Sequence, residues 1–137
     1  MKSITFEESN YFIFRLIMGM NMMIHGAGRL FGDYTDFLSR MKAMFAPTIL
    51  PDFLVTFSSH LISPLEFIFG LLLVVGFKTR LSILVLNGVV LILISGVCLV
   101  QKWNLAGLQM GYALYLFFLG SNIKYNKISL DSLLLKR

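Results

Sequence analysis

Four apolar runs, each about the length a helix needs to cross a bilayer, follow one another along this chain with short polar breaks between them. They cover residues 11–31, 53–77, 81–100 and 105–123. A soluble domain carries about a quarter charged residues. Here 14% of the 137 residues are charged and 57% are hydrophobic. The pattern predicts one all-α integral membrane domain over residues 1–137, a four-helix bundle with the lipid bilayer as its solvent. No stretch remains for a soluble catalytic domain, so any chemistry is expected within the membrane or on a partner.

The net charge of +5 does not build a nucleic-acid surface. Lys2, Lys78, Arg80, Lys124, Lys127, Lys136 and Arg137 flank the ends of the runs, which is the positive-inside pattern. It predicts that both termini and the turn between spans two and three are cytoplasmic. Arg40, Lys42 and Lys102 fall in the other loops, with Arg29 at a span end. The first run is longer than a signal-peptide core, contains Arg15 and lacks a small-residue cleavage site, so it is expected to remain as an anchor. The single cysteine, Cys98, excludes an internal disulfide and paired-thiol electron transfer.

Within the longest connection, residues 32–52, Phe37, Leu38, Met41, Met44 and Phe45 recur at helical spacing, with Arg40 and Lys42 opposite. That predicts a short interfacial helix between spans one and two, ended by Pro47 and Pro51. Pro64 predicts a kink or a break in span two. Gly19, Gly26 and Gly28 offer span one close approach to a neighbour. Trp103 suits the interfacial aromatic belt. The tail 129–137 reads as a short surface helix capped by Ser129 or Asp131.

His25 and Glu66 are ionisable groups inside apolar runs, where charge is expensive. With the N-terminus inside, His25, Arg29, His60 and Gln109 fall in the outer half of the bundle, near Cys98 and Gln101, and Glu66 falls near the midplane. Arg15, Met18, Met22, His25 and Arg29 share an arc of about 80° on span one, expected to face the interior. Arg15 is close enough to the midplane for an Arg15–Glu66 pair, which would let both charges persist.

Structural readings stand beside these. Ser63-Pro64-Leu65-Glu66 has the spacing of a capping box with proline at the first helical position. His25 alone reads more often as a hydrogen-bonded packing histidine, and His60, next to Ser58 and Ser59, as a solvated one. Met18, Met22 and His25 are spaced like a soft copper(I) site, but methionine at helical spacing is ordinarily packing. His25 and His60 without a supporting motif make a weak haem pair. No metal or flavin motif is present, and no internal repeat of the kind carriers use.

The segments Arg15-Leu16-Ile17-Met18-Gly19 and His25-Gly26-Ala27-Gly28-Arg29-Leu30-Phe31 resemble the first helix of the DoxX family. The run from Pro64-Leu65-Glu66 through Gly70 and Gly76 to Thr79-Arg80 resembles its second signature, and Tyr125 to Asp131 is similar to its Tyr-Ser-Leu-Asp close. The resemblance implies a small four-helix inner-membrane protein of bacteria. Some members are associated with quinone-linked oxidation of sulfur compounds or with oxidative-stress complexes. By motif it points to Arg15, His25, Arg29 and Glu66. Gln109 departs from the acidic residue that members often carry near the start of the fourth helix, so a proton path through a second carboxylate there is not expected.

Together these features suggest a quinone-interacting subunit or accessory factor of a membrane oxidoreductase. His25 or Gln109 would donate to a quinone carbonyl, Glu66 would handle the proton, and Arg15, Arg29 and His60 would complete the binding residues. Electrons would come from a partner. The alternative is a non-enzymatic scaffold or assembly factor, and a small-solute carrier is a third reading. Expected partners are the bilayer, a redox or assembly protein, and a second copy of the chain.

Overall fold

The computed structural model describes residues 3–134. Lys2, Lys136 and Arg137, which enter the charge pattern above, lie outside the described residues, as does the end of the predicted tail helix. Among the described residues, six α-helices run in the order α1 (Phe6–Leu30), α2 (Tyr34–Phe45), α3 (Asp52–Val75), α4 (Thr79–Leu99), α5 (Trp103–Ser121) and α6 (Leu130–Leu134), with a 3-10 turn at Ile123–Tyr125. No strand occurs among the described residues. By length and composition, α3 and α4 are apolar enough to cross a membrane. Helix α1 carries Arg15 and Arg29, and α5 carries Gln109 and two tyrosines, so both are less apolar.

Local chemistry sets the boundaries. Helix α1 starts ahead of the apolar run because Thr5 and Glu8 form a capping box, satisfying amides that otherwise have no partner. Asp33 caps α2 by accepting from the Asp36 amide at 3.0 Å. The α2 helix is the predicted amphipathic one, and none of its residues is fully buried. Gly76, at φ 69°, ends α3 in the left-handed region, where a side chain is strained.

Helix α3 corrects two expectations. It runs unbroken through Pro64, so no break divides it. Ser63 is therefore interior rather than a cap; its hydroxyl donates to the Ser59 carbonyl at 3.2 Å. Glu66 lies in mid-helix and caps nothing.

Helix α1 packs along α3, α3 against α4, α4 against α5 and α5 back against α1. Helices α3 and α5 therefore stand on one diagonal, and α1 and α4 on the other. The α1–α3 contact is backbone-close. A Cβ on Gly26 would collide with the Phe67 amide and the Ser63 carbonyl, and one on Gly19 would sit 2.7 Å from the Val74 nitrogen. Gly28, grouped with these in the sequence, faces open space. The core is built from residues such as Met18, Met22, Leu73, Leu86, Leu116 and Leu119. Both methionines spaced like a copper site, Met18 and Met22, are thus core packing.

Where α1, the turn between α3 and α4 and residues 126–132 meet, polar groups form a clasp. The Arg15 guanidinium donates to the Asn126 side-chain oxygen and to the Val74 carbonyl at 3.4 Å. The Asn126 amide donates onward to Thr79 Oγ1 at 3.0 Å. The Asp131 carboxylate accepts from the Lys78 and Thr79 amides at 2.7 and 2.8 Å, thereby capping α4. Ser129 Oγ caps α6 by accepting from the Ser132 amide at 3.2 Å. Of the two predicted tail caps, Ser129 serves its own helix and Asp131 a different one.

Candidate functional site

At the opposite end from the clasp, the helices enclose a cavity of about 580 Å³ lined from all five long elements, α1 to α5. Its walls are mainly apolar, with Met22 and Ile62 from α1 and α3, and Met41, Met44 and Phe45 of α2 forming one side. Polar groups are few: His25 and Arg29 from α1, Ser58, Ser59, Ser63 and Glu66 from α3, Ser95 from α4, and Gln109 and Tyr112 from α5. This combination of size, apolar walls and a few convergent polar groups is that of a small-molecule site.

The strongest interaction in the cavity is an ion pair between Arg29 and the Glu66 carboxylate. Its cause is the antiparallel register of α1 and α3. Arg15 lies level with Val74, Gly19 with Gly70, and Gly26 with Ser63, which brings the last turn of α1 beside the middle of α3. The anticipated Arg15–Glu66 pair is therefore replaced: Arg15 lies several turns away, in the clasp. Burial is uneven, the side chains of Arg29 and Glu66 being 26% and 3% exposed. The Arg29 guanidinium also sits over the Phe37 ring, 5.4 Å from its centroid, and so ties α2 to the cavity's charged corner.

One turn before Arg29, His25 is open to the cavity, with its ring centroid 6.5 Å from that of Tyr112. Gln109 lies three residues before Tyr112 on the same face of α5. Its Oε1 is buried and has no hydrogen-bond partner among the described residues. An unpaired buried acceptor is costly, which suits a group kept for a ligand.

Four of the six candidate residues, His25, Arg29, Glu66 and Gln109, thus share one cavity. Two do not. Arg15 is in the clasp. His60 faces outward, with its Nδ1 2.8 Å from the Thr56 carbonyl oxygen and its ring edge-on to Tyr34 at 5.0 Å. Sequence reading missed Ser59, Ser63 and Tyr112 as lining residues. The signal was present: 59, 63 and 66 fall at the i, i+4, i+7 spacing of one helix face, and 109 and 112 at i, i+3.

The donor set fits a quinone headgroup: guanidinium, imidazole and phenol are hydrogen-bond donors to carbonyl oxygen, and the volume lies within the range of ligand pockets. No curated protein and no solved structure matches the chain. The family model described as DoxX matches residues 11–100, a span that holds Arg29, Glu66, the Gly19–Gly26–Gly70 contact and the Gly76 turn but stops short of Gln109 and Tyr112. With most of its length so matched, on the elements that build the cavity, this chain is a membrane protein that belongs to the DoxX family.

Proposed function

We propose that the protein is a multi-pass protein of the bacterial inner membrane, with α1, α3, α4 and α5 spanning as a four-helix bundle and both termini cytoplasmic. In this reading it binds a quinone headgroup in the α1–α5 cavity, as a subunit or accessory factor of a membrane oxidoreductase or oxidative-stress complex. The observation that carries the reading is the cavity itself, which joins a buried carboxylate, its arginine partner, an open histidine and an unpaired glutamine oxygen within apolar walls. Bound there, a quinone would supply two-electron redox chemistry, with the electrons delivered by a partner protein.

The chain's own residues have separate tasks. His25 donates to a ring oxygen, and Glu66 holds a proton beside it. Arg29 keeps the carboxylate oriented and stabilises negative charge that develops on the ligand. The apolar walls exclude water and hold the ring. Arg15 and His60 drop out of the binding set by their positions.

A second reading, a non-enzymatic scaffold or assembly factor, draws on the Arg29–Glu66 pair, in which each charge already has a partner. Mass spectrometry of an organic extract from protein purified in mild detergent separates the two. The quinone reading expects about one quinone per chain, lost from folded Glu66→Gln and His25→Ala proteins. Quinone no higher than in an unrelated membrane protein purified alongside would leave the scaffold.

A further inference from the structure

Beside the clasp, a second and smaller cavity of about 270 Å³ lies between the start of α1 and the end of α5. It shares no lining residue with the larger one. Its walls are rich in rings: Phe6, Tyr11 and Phe14 from α1, Phe118 from α5 and Tyr125 from the 3-10 turn. Glu7 adds a carboxylate, and among the described residues no lysine or arginine lines the space. Donor hydrogens here are already committed to backbone. The Tyr11 hydroxyl donates to the Leu119 carbonyl at 3.2 Å, and the Asn122 amide donates to the Phe118 carbonyl at 2.9 Å. What remains for a guest is electron-rich: aromatic rings, whose faces are negative, and a carboxylate. A cation already settles at this rim, where Lys124 Nζ lies over the Tyr125 ring, 5.0 Å from its centroid.

We propose that this cavity binds an organic ammonium group. The class follows from charge and chemistry together. An alkylammonium is attracted by aromatic rings, and Glu7 balances its charge. An inorganic cation needs several oxygen ligands, and among the described residues no cluster of three metal-ligating side chains exists. An anion would meet the Glu7 carboxylate with no basic side chain among the described lining to offset it. The depth is that of lipid headgroups. Phe6, Glu7 and Asn10 precede the apolar run that begins at Tyr11, whereas Phe14 lies inside it. Phe6 and Phe118 are 80% and 56% exposed, so the rim opens outward from the bundle. An ammonium group can thus arrive on a lipid headgroup or on a free amine, and the same rings receive either. The site stands apart from the quinone reading and does not depend on it.

The test uses the full chain in mild detergent with two probes compared by NMR titration. One is choline, and the other is its neutral isostere, in which a tert-butyl group replaces the trimethylammonium. Choline is expected to bind at least about fivefold more tightly, because only choline brings charge to the rings and to Glu7. Phe118→Leu and Glu7→Gln should each weaken choline about twofold to fivefold and leave the isostere unchanged. Both positions are exposed, and thermal unfolding of each variant checks that the fold is kept. A second arm places the chain in nanodiscs of phosphatidylcholine and phosphatidylglycerol in equal parts, and native mass spectrometry reads which lipid stays bound. Preferential retention of phosphatidylcholine, lost in both variants, identifies a lipid headgroup as the occupant. Choline selectivity without a lipid preference identifies a free amine. The proposal is wrong if choline and its isostere bind alike and neither lipid is preferred. It is equally wrong if a preference for choline or for phosphatidylcholine survives both substitutions.

Discussion

Arg15 and Arg29 stand on the same helix, and the two ends of the molecule surround them with opposite kinds of environment. Arg15 is 1% exposed and bonded to neutral oxygens, those of Asn126 and Val74. The space beside it is closed by Gly76, where an added Cβ would lie 2.6 Å from the Ser129 side chain. Arg29 is partly open, paired with a carboxylate, and borders about 580 Å³ of free volume. A guanidinium enclosed by neutral acceptors fixes chain segments relative to one another. One with a carboxylate partner and an open flank is positioned to share its donors with a ligand. An ionisable residue at membrane depth is a fair first pointer to function, but here the space beside the charge, more than its burial, separates scaffold from site.

The largest effect should come from breaking the clasp. Arg15→Met leaves the Asn126 side chain and the Val74 carbonyl without their donor, at a cost of about 2–4 kcal/mol. The expected outcome is a clear fall in the unfolding temperature in detergent, with ligand retention per folded molecule unchanged because the cavity lies at the other end. A proportional loss of ligand from protein that remains folded would erase the distinction between the two arginines.

A smaller effect on stability, but a total one on binding, is expected at the cavity. Arg29→Met or Glu66→Leu alone strands a charge and should destabilise by about 1–3 kcal/mol. The double variant should recover most of that loss, because neither charge then remains. Quinone retention should be lost in all three proteins. Recovery of both stability and retention in the double variant would make the pair purely structural and favour the scaffold.

The all-helical order, the α2 helix and the Ser129 cap were legible because each rests on local chemistry: apolar runs, 3.6-residue periodicity and a hydroxyl at a helix start. Partner choice was not legible, because it depends on register between helices. His25, Arg29 and Glu66 stood out as polar groups on apolar spans, yet the sequence pointed to Arg15 for Glu66, and the folded chain supplies Arg29. What decides between them is the near-backbone contact at Gly19, Gly26 and Gly70, which fixes how α1 slides along α3. In the same way, Ser63-Pro64-Leu65-Glu66 carries the letters of a cap, but α3, packed against α1, continues unbroken through it. Asp131 reads as a cap for its own helix, and only the folded chain brings it to the start of α4.

The finest contrast lies in how each end is fastened. The clasp closes with buried groups, whereas α2, which walls the cavity, has no fully buried residue and starts at an exposed cap. The Asp33 carboxyl is held below the usual carboxylate range, first by the Thr35 hydroxyl donating to it at 2.6 Å and then by the Asp36 amide at 3.0 Å. A carboxyl whose folded-state pKa is depressed contributes stability above its unfolded value, and that contribution is lost as pH falls through the lower folded value. Acidification through and below the ordinary aspartate range, about 4, should therefore loosen the first turn of α2. Amide hydrogen exchange over residues 34–37, corrected for intrinsic rates, should rise a few-fold, while residues 126–132 hold. Asp33→Asn keeps a capping oxygen without a titrating group, so its exchange should be flat over the same interval. If wild type and Asp33→Asn respond to acid alike, the cap is not what fastens α2, and the softness of the cavity end has another source.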